Sequence, residues 1–250
     1  MTEGWLLRPG YCENAHLTID SVAHPWPSDT LFKESRPIII AQKMGSFGPH
    51  VDGQSWARAR DGADPSCLTE FDNHTGFVRL RMSYHPNLDS AQRQQTALHI
   101  QGLAAMLRAA YFLLEHPLAV GLFIPAADRF MLPREVWRTY DGTFGEVENM
   151  WTIWTRLRVH YQEDGSSVIK VRGLKQIGVP DFDMDGGLES LEALRARAHE
   201  LIKQTCQEST SSLSPGLLAQ QGLMVISDAV DGASPIVLRR RDAASSSDSA

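Results

Sequence analysis

Five carboxylates in the stretch DFDMDGGLESLE, residues 181–192, fall on the spacing of a calcium-binding loop. In such a loop, oxygens from positions 1, 3, 5, 7, 9 and 12 wrap the ion, and glycine at position 6 makes the sharp turn. The matching residues are Asp181, Asp183, Asp185, the Gly187 carbonyl, Glu189 and Glu192, with Gly186 at the turn. The entering helix of that motif is missing, because GLKQIGVP contains Gly173, Gly178 and Pro180, which break it. A competing account needs no ion. Asp181, Phe182, Asp183 and Met184 alternate out and in along a strand end, Asp185 caps a helix, and Glu189 and Glu192 favour its positive first turn. That account is preferred, so no metal and no cofactor are expected. Asp181, Asp183, Asp185 and Glu192 stand as the calcium candidates.

A second constellation is cationic. Arg79, Arg81, Arg156, Arg158, Lys170 and Arg172 alternate on the polar faces of three expected strands. Were those strands neighbours, the cations would form one basic face, joined by Trp154 and His160. Charge and stacking would let it grip an acidic partner, an anion or single-stranded nucleic acid. The blander reading is a solvated sheet face paired with nearby carboxylates. A net charge of −6 argues against nucleic acid, whose phosphates the average field repels.

Other chemistry is thinner. Cys12, His16, Cys67 and His74 are zinc-ligand types, but their spacing belongs to no familiar zinc module. HELIK at 199–203 begins like a zinc-protease helix, yet Lys203 stands where the second histidine must be. No G-x-S-x-G, G-x-G-x-x-G or Walker loop is present. A hydrolase would have to draw on His50, Asp52, Cys67, Asp72 and His74, in or beside the long segment 44–66. Trp137, Trp151 and Trp154 are expected in core and rim packing, the kind of aromatic that interfaces recruit.

The elements that must position these residues follow from patterning. HLTIDSV (16–22), PIIIAQK after Pro37 and the alternating GFVRLRMSY (76–84) read as strands. Residues 44–66, rich in Gly, Pro and Asp, read as a long irregular connection. Asp89 and Gln92 resemble a capping box. Behind them Ile100, Leu103, Ala104, Leu107, Ala110, Tyr111 and Leu114 make one helical stripe, ended by Pro117. Because His99, Gln101 and Arg108 interrupt it, a buried helix is expected, not a membrane span. LAVGLFIP reads as a buried strand and LPREVWRTY as a helix. MWTIWTRLRVHYQEDGSSVIKVRG reads as a hairpin turning at Asp164-Gly165, and a second long helix is expected over about 188–206. LMVISD and PIVLRR bracket Asp231-Gly232 as a last hairpin. The tail 241–250 carries no apolar residue larger than alanine and is expected to be disordered. The expectation is a single α+β domain over 1–240. Its mostly antiparallel sheet of seven or eight strands would be covered on one face by two long helices.

An Ala-rich helix leads into AVGLFIPAADRFMLP, then come a tryptophan-rich strand, VRGLKQIGVPDFDM, a helix and DGASPIVLRR. In that order of pieces, from about residue 97 to 240, the chain resembles a bacterial family known as domain of unknown function 4261. The resemblance implies a fold and no activity. With 42% apolar and 22% charged residues, the chain has the composition of an ordinary globular protein. Three separated cysteines and no signal-peptide pattern point to a reducing, cytoplasmic setting. The expected function is a non-enzymatic module that binds another protein, with no membrane and no nucleic acid involved. Its specific form is an immunity or accessory protein for a secreted bacterial toxin, the acidic balance suiting a basic one. The alternatives are a hydrolase around 44–74 and calcium binding through 181–192.

Overall fold

A computed structural model describes residues 4–7, 15–23, 25, 53–61, 63, 65–84, 96–142, 150–187, 189–208, 213, 215–227 and 235–240. The expected strand after Pro37, the Asp89–Gln92 box, the Asp231-Gly232 turn and the tail 241–250 lie outside them, as do Cys12, His50 and Asp52. The chain forms two compact units. One comprises Met1–Arg93 and Gln101–Met150, the other Gln94–Ile100 and Trp151–Ala250.

In the first unit, β1 (Gly4–Leu7), β2 (Ala15–Val22) and β3 (Phe77–Tyr84) make an antiparallel sheet in that order. The register sets Asp20 opposite Arg79 and Thr18 opposite Arg81. Asp20 is buried, and its Oδ2 accepts from Arg79 at 2.8 Å and pairs with Arg81 at 3.0 Å. Two guanidinium groups offset the cost of taking that carboxylate out of water. The expectation of an irregular connection over 44–66 is corrected, since helices α1 (Gly53–Arg60) and α2 (Pro65–Asp72) occupy its second half and beyond. Each carries a short apolar stripe that the flanking Gly, Pro and Asp obscure. Ala59, Cys67 and Phe71 are buried with Phe130, while Trp56, Leu68 and Phe123 pack around them. Trp56 meets Phe130 edge-on at 4.7 Å between ring centroids.

Helix α3 (Thr96–Leu114) follows the expected stripe, with Ile100, Leu103, Ala104, Leu107, Ala110 and Leu114 all buried. By length and composition it is the one helix among the described residues long and apolar enough to cross a membrane. Strands β4 (Leu122–Ile124) and β5 (Arg129–Met131) pair across a 3-10 turn. Helix α4 (Pro133–Gly142) then starts at its proline, and Glu135 accepts the Leu132 N–H at 2.8 Å.

The second unit opens on a helical turn, Trp151–Trp154, where a strand was expected. Strands β6 (Arg156–Tyr161), β7 (Ser167–Arg172), β8 (Phe182–Asp185), β9 (Leu223–Ser227) and β10 (Ile236–Arg240) form one sheet in the order β6-β7-β8-β10-β9. Only β8 and β10 run parallel among the described pairs. Helix α5 (Leu191–Glu208) lies against β7, and the short α6 (Pro215–Gln220) precedes and touches β9. Ile169, Val171, Phe182, Met184 and Leu238 of the sheet are buried, as are Leu194, Ala198, Leu201 and Ile202 of α5.

The class is mixed helix and sheet with mostly antiparallel pairing, as patterning implies. The single sheet of seven or eight strands is corrected: the described strands divide into sheets of three, five and two. Of the two long helices, α5 packs on the five-stranded sheet, whereas α3 past its first turn belongs to the first unit. Alternation tells each strand which side is apolar. It carries no information about which strand is its neighbour.

Gly186 has a packing role. A Cβ there would sit 2.6 Å from the Leu194 side chain, so the absent methyl lets α5 close onto the end of β8. Gly186→Ala is expected to cost about 1–3 kcal/mol through overpacking. Leu201→Ala, at a fully buried site, is expected to cost about 2–5 kcal/mol. Urea unfolding measures both, and a Leu201→Ala midpoint equal to that of the wild type would refute the placement of α5 as the core helix.

Candidate functional site

The five-stranded sheet has one apolar and one charged face. On β7, Ser167, Ile169 and Val171 are buried, so Val168, Lys170 and Arg172 face the other way. The register then sorts the neighbours. Arg156 lies opposite Arg172 and Arg158 opposite Lys170 on β6, while Lys170 lies opposite Asp183 on β8. Arg239 of β10 lies opposite Asp185. Among the described strand residues, the face therefore carries five cations, on β6, β7 and β10, and two carboxylates, both on the central β8. Arg172 Nη1 donates to Asp183 at 2.7 Å and to the Val171 carbonyl at 2.8 Å. Arg239 Nη2 donates to Asp185 at 2.6 Å.

Each side chain of the acidic stretch has its own task. Asp181 is buried and accepts the Leu174 N–H at 2.9 Å. Burial pushes its carboxyl above the ordinary aspartate range, against the opposing pull of Arg172 and Lys175. Asp185 accepts the Gly187 N–H at 3.0 Å, a local turn, so its expected role as helix cap is corrected. Ser190 caps α5 instead, its Oγ accepting the Ala193 N–H at 3.3 Å. Glu189 pairs with Arg197 at 2.6 Å, and Glu192 is exposed on the first turn of α5. Among the described residues, no group of three His, Cys, Asp or Glu could hold a metal ion.

The expected six-cation face is corrected in membership. Arg79 and Arg81 belong to the three-stranded sheet, where both serve Asp20. Trp154 is buried in the helical turn, with its carbonyl accepting from Gln176 at 3.0 Å, and so cannot stack on a ligand at the face. Arg156, Arg158, Lys170 and Arg172 do stand together, with His160 exposed at the end of the same β6 row. Arg239 was missed. The alternation in IVLRR carried the signal, but only the parallel β8–β10 pairing brings it to this face.

Of the zinc and hydrolase sets, only the described members can be placed, Cys12, His50 and Asp52 lying outside the described residues. Cys67 is buried in the aromatic cluster of the first unit, Asp72 is in a two-pronged pair with Arg60, and His74 packs its ring on Trp56 at 5.7 Å. His16 lies on β2. His199 stacks edge-on with Trp151, and burial with nearby Arg195 lowers its pKa. Burial pushes the Cys206 thiol up to about 12, which leaves almost no thiolate at neutral pH. No family model matches the chain, nor does any curated protein or solved structure.

Two outcomes follow from these placements. Calorimetric titration with calcium to millimolar concentration is expected to give no binding heat, since Asp183, Asp185 and Glu189 are held by arginines on β7, β10 and α5. For Asp181, alanine strips a buried N–H of its acceptor and is expected to cost about 1–3 kcal/mol. Asparagine keeps an acceptor. Because the folded chain holds the Asp181 proton more tightly, the wild type loses stability relative to Asp181→Asn as pH rises from the ordinary aspartate range through the raised value. Above that window the difference is flat. Denaturant melts from pH 3 to 8 read it, and a gap that moves in the other direction would falsify the assignment.

Proposed function

We propose that this protein is a non-enzymatic, cytoplasmic protein-binding module that docks an acidic surface of its partner on the charged face of the five-stranded sheet. One observation carries the reading: Arg156 opposite Arg172, and Arg158 opposite Lys170. Like charges directly across a ladder destabilise it. Asp183 offsets part of that repulsion at Arg172, and an anionic surface on the partner would add attraction along the same rows.

The net charge of −6 suits a basic toxin as partner, but this face calls for carboxylates on the part of the partner that touches it. An immunity or accessory factor for a secreted bacterial toxin remains the specific form proposed. The resemblance to domain of unknown function 4261 is compatible with it and assigns no chemistry. Protein is favoured over nucleic acid because Trp154, the aromatic expected to stack bases, is buried. A hydrolase at 44–74 gains no support from Cys67 in an apolar cluster and Asp72 beside Arg60.

The test is capture from a lysate of the native host by the immobilised wild-type chain and by Arg158→Glu with Lys170→Glu. A protein retained by the first, lost at least about tenfold with the second, and released by moderate salt is the expected result. Equal capture by both chains, or capture indifferent to salt, refutes docking on this face.

A further inference from the structure

Helix α4 breaks two local rules near its start. Its first turn carries Arg134, where the positive end of a helix favours carboxylates. Arg138 follows four residues on, so the two guanidinium groups lie one turn apart on the same side, and like charges at that spacing oppose a helix. Both side chains are exposed, whereas Val136 between them is buried and Trp137 and Tyr140 are half-buried. The apolar face thus fixes the helix and holds the arginines outward.

Beside them opens a concavity of about 330 Å³, lined among the described residues by Arg134, Glu135 and Arg138. That volume stands at the lower end of small-molecule sites. The carboxylate in this lining is already engaged. Glu135 Oε2 accepts the Leu132 N–H at 2.8 Å. Burial lowers the pKa of Arg129 and the charge of Glu135 opposes the shift, which places this carboxylate in the field of a half-buried cation. Asp141, three residues past Arg138, accepts the Tyr111 hydroxyl at 3.4 Å.

We infer that the concavity on α4 binds a small phosphate monoester, its phosphate oxygens bridging Arg134 and Arg138. The planar fork of arginine offers two parallel N–H donors to one phosphate, and charge-assisted bonds of this kind are the strong ones. A phosphate dianion answers both guanidinium charges, and at the start of α4 it meets the helix dipole with the favourable sign. A simple carboxylate brings one charge to two cations. Solubility alone would be served as well by a carboxylate at position 134, which would suit the dipole besides. The site lies in the first unit, on residues other than those of the charged sheet face, so it stands or falls separately from the docking proposed there.

The probe is phenyl phosphate, titrated calorimetrically into the full chain at low salt and neutral pH. Saturable binding in the millimolar range or tighter is expected. Arg134→Gln with Arg138→Gln is expected to bind at least about tenfold more weakly, with an unchanged circular dichroism spectrum. Phenol, which lacks the phosphate, is expected to give no saturable heat. Arg195→Gln with Lys203→Gln removes the same charge from exposed positions on α5 and is expected to leave the affinity unchanged. Heat that never saturates, or equal affinity in the wild type and the Arg134, Arg138 variant, overturns the site. Equal weakening by the α5 variant reveals attraction to cations at large and overturns it too. A short phosphoserine peptide that binds at least about tenfold more tightly than phenyl phosphate overturns the small-molecule assignment in favour of a modified protein segment.

Discussion

An acidic strand between basic ones is the constraint on which the second unit turns. Asp183 and Asp185, on the central β8, reach sideways to Arg172 on β7 and Arg239 on β10. The Arg172–Asp183 pair is partly shielded, with 24% and 17% of the two side chains exposed, yet such a pair contributes on the order of 1 kcal/mol. One buried leucine contributes more. What the pairs supply is register. Sliding β8 by one residue would turn Phe182 and Met184 outward and drive its carboxylates into the apolar layer under α5, and the flanking arginines would lose their partners.

Unit one uses a related device to a different end. Arg79 and Arg81 converge on the single carboxylate of Asp20, so cations and anion tie β3 to β2 and little charge is left for a ligand. In the second unit, β6 and β7 set four cations beside β8, whose carboxylates tie Arg172 on one side and Arg239 on the other. An arginine alternating along a strand looks the same in both settings. Which carboxylate it meets depends on the neighbouring strand.

That dependence explains what the residues disclosed in advance. Local periodicities were legible. The stripe from Ile100 to Leu114, the face of α5 from Leu194 to Ile202, and the β6–β7 hairpin with its turn near Gly165 all depend on residues close in sequence. Non-local pairing was not legible, and with it went the division into sheets, the separation of Arg79 and Arg81 from the other cations, and the arrival of Arg239. Trp151 and Ile153 fit a strand's alternation, but four residues suffice for a helical turn, and there Thr155 N–H bonds back to the Trp151 carbonyl at 2.9 Å. Gly186 matched the turn of an ion loop, whereas its role is to leave room for Leu194. A twelve-residue template is satisfied by types and spacings alone, and the same types arise when a charged strand end meets a capped helix.

The parallel pairing of β10 with β8 also bears on how the protein is made. The last of the described strands in chain order sits inside the sheet, between β8 and β9, so the sheet is incomplete until residues 236–240 have left the ribosome. Until β10 arrives, β8 has an open edge, where the charges of Asp183 and Asp185 oppose pairing with a strand of another chain.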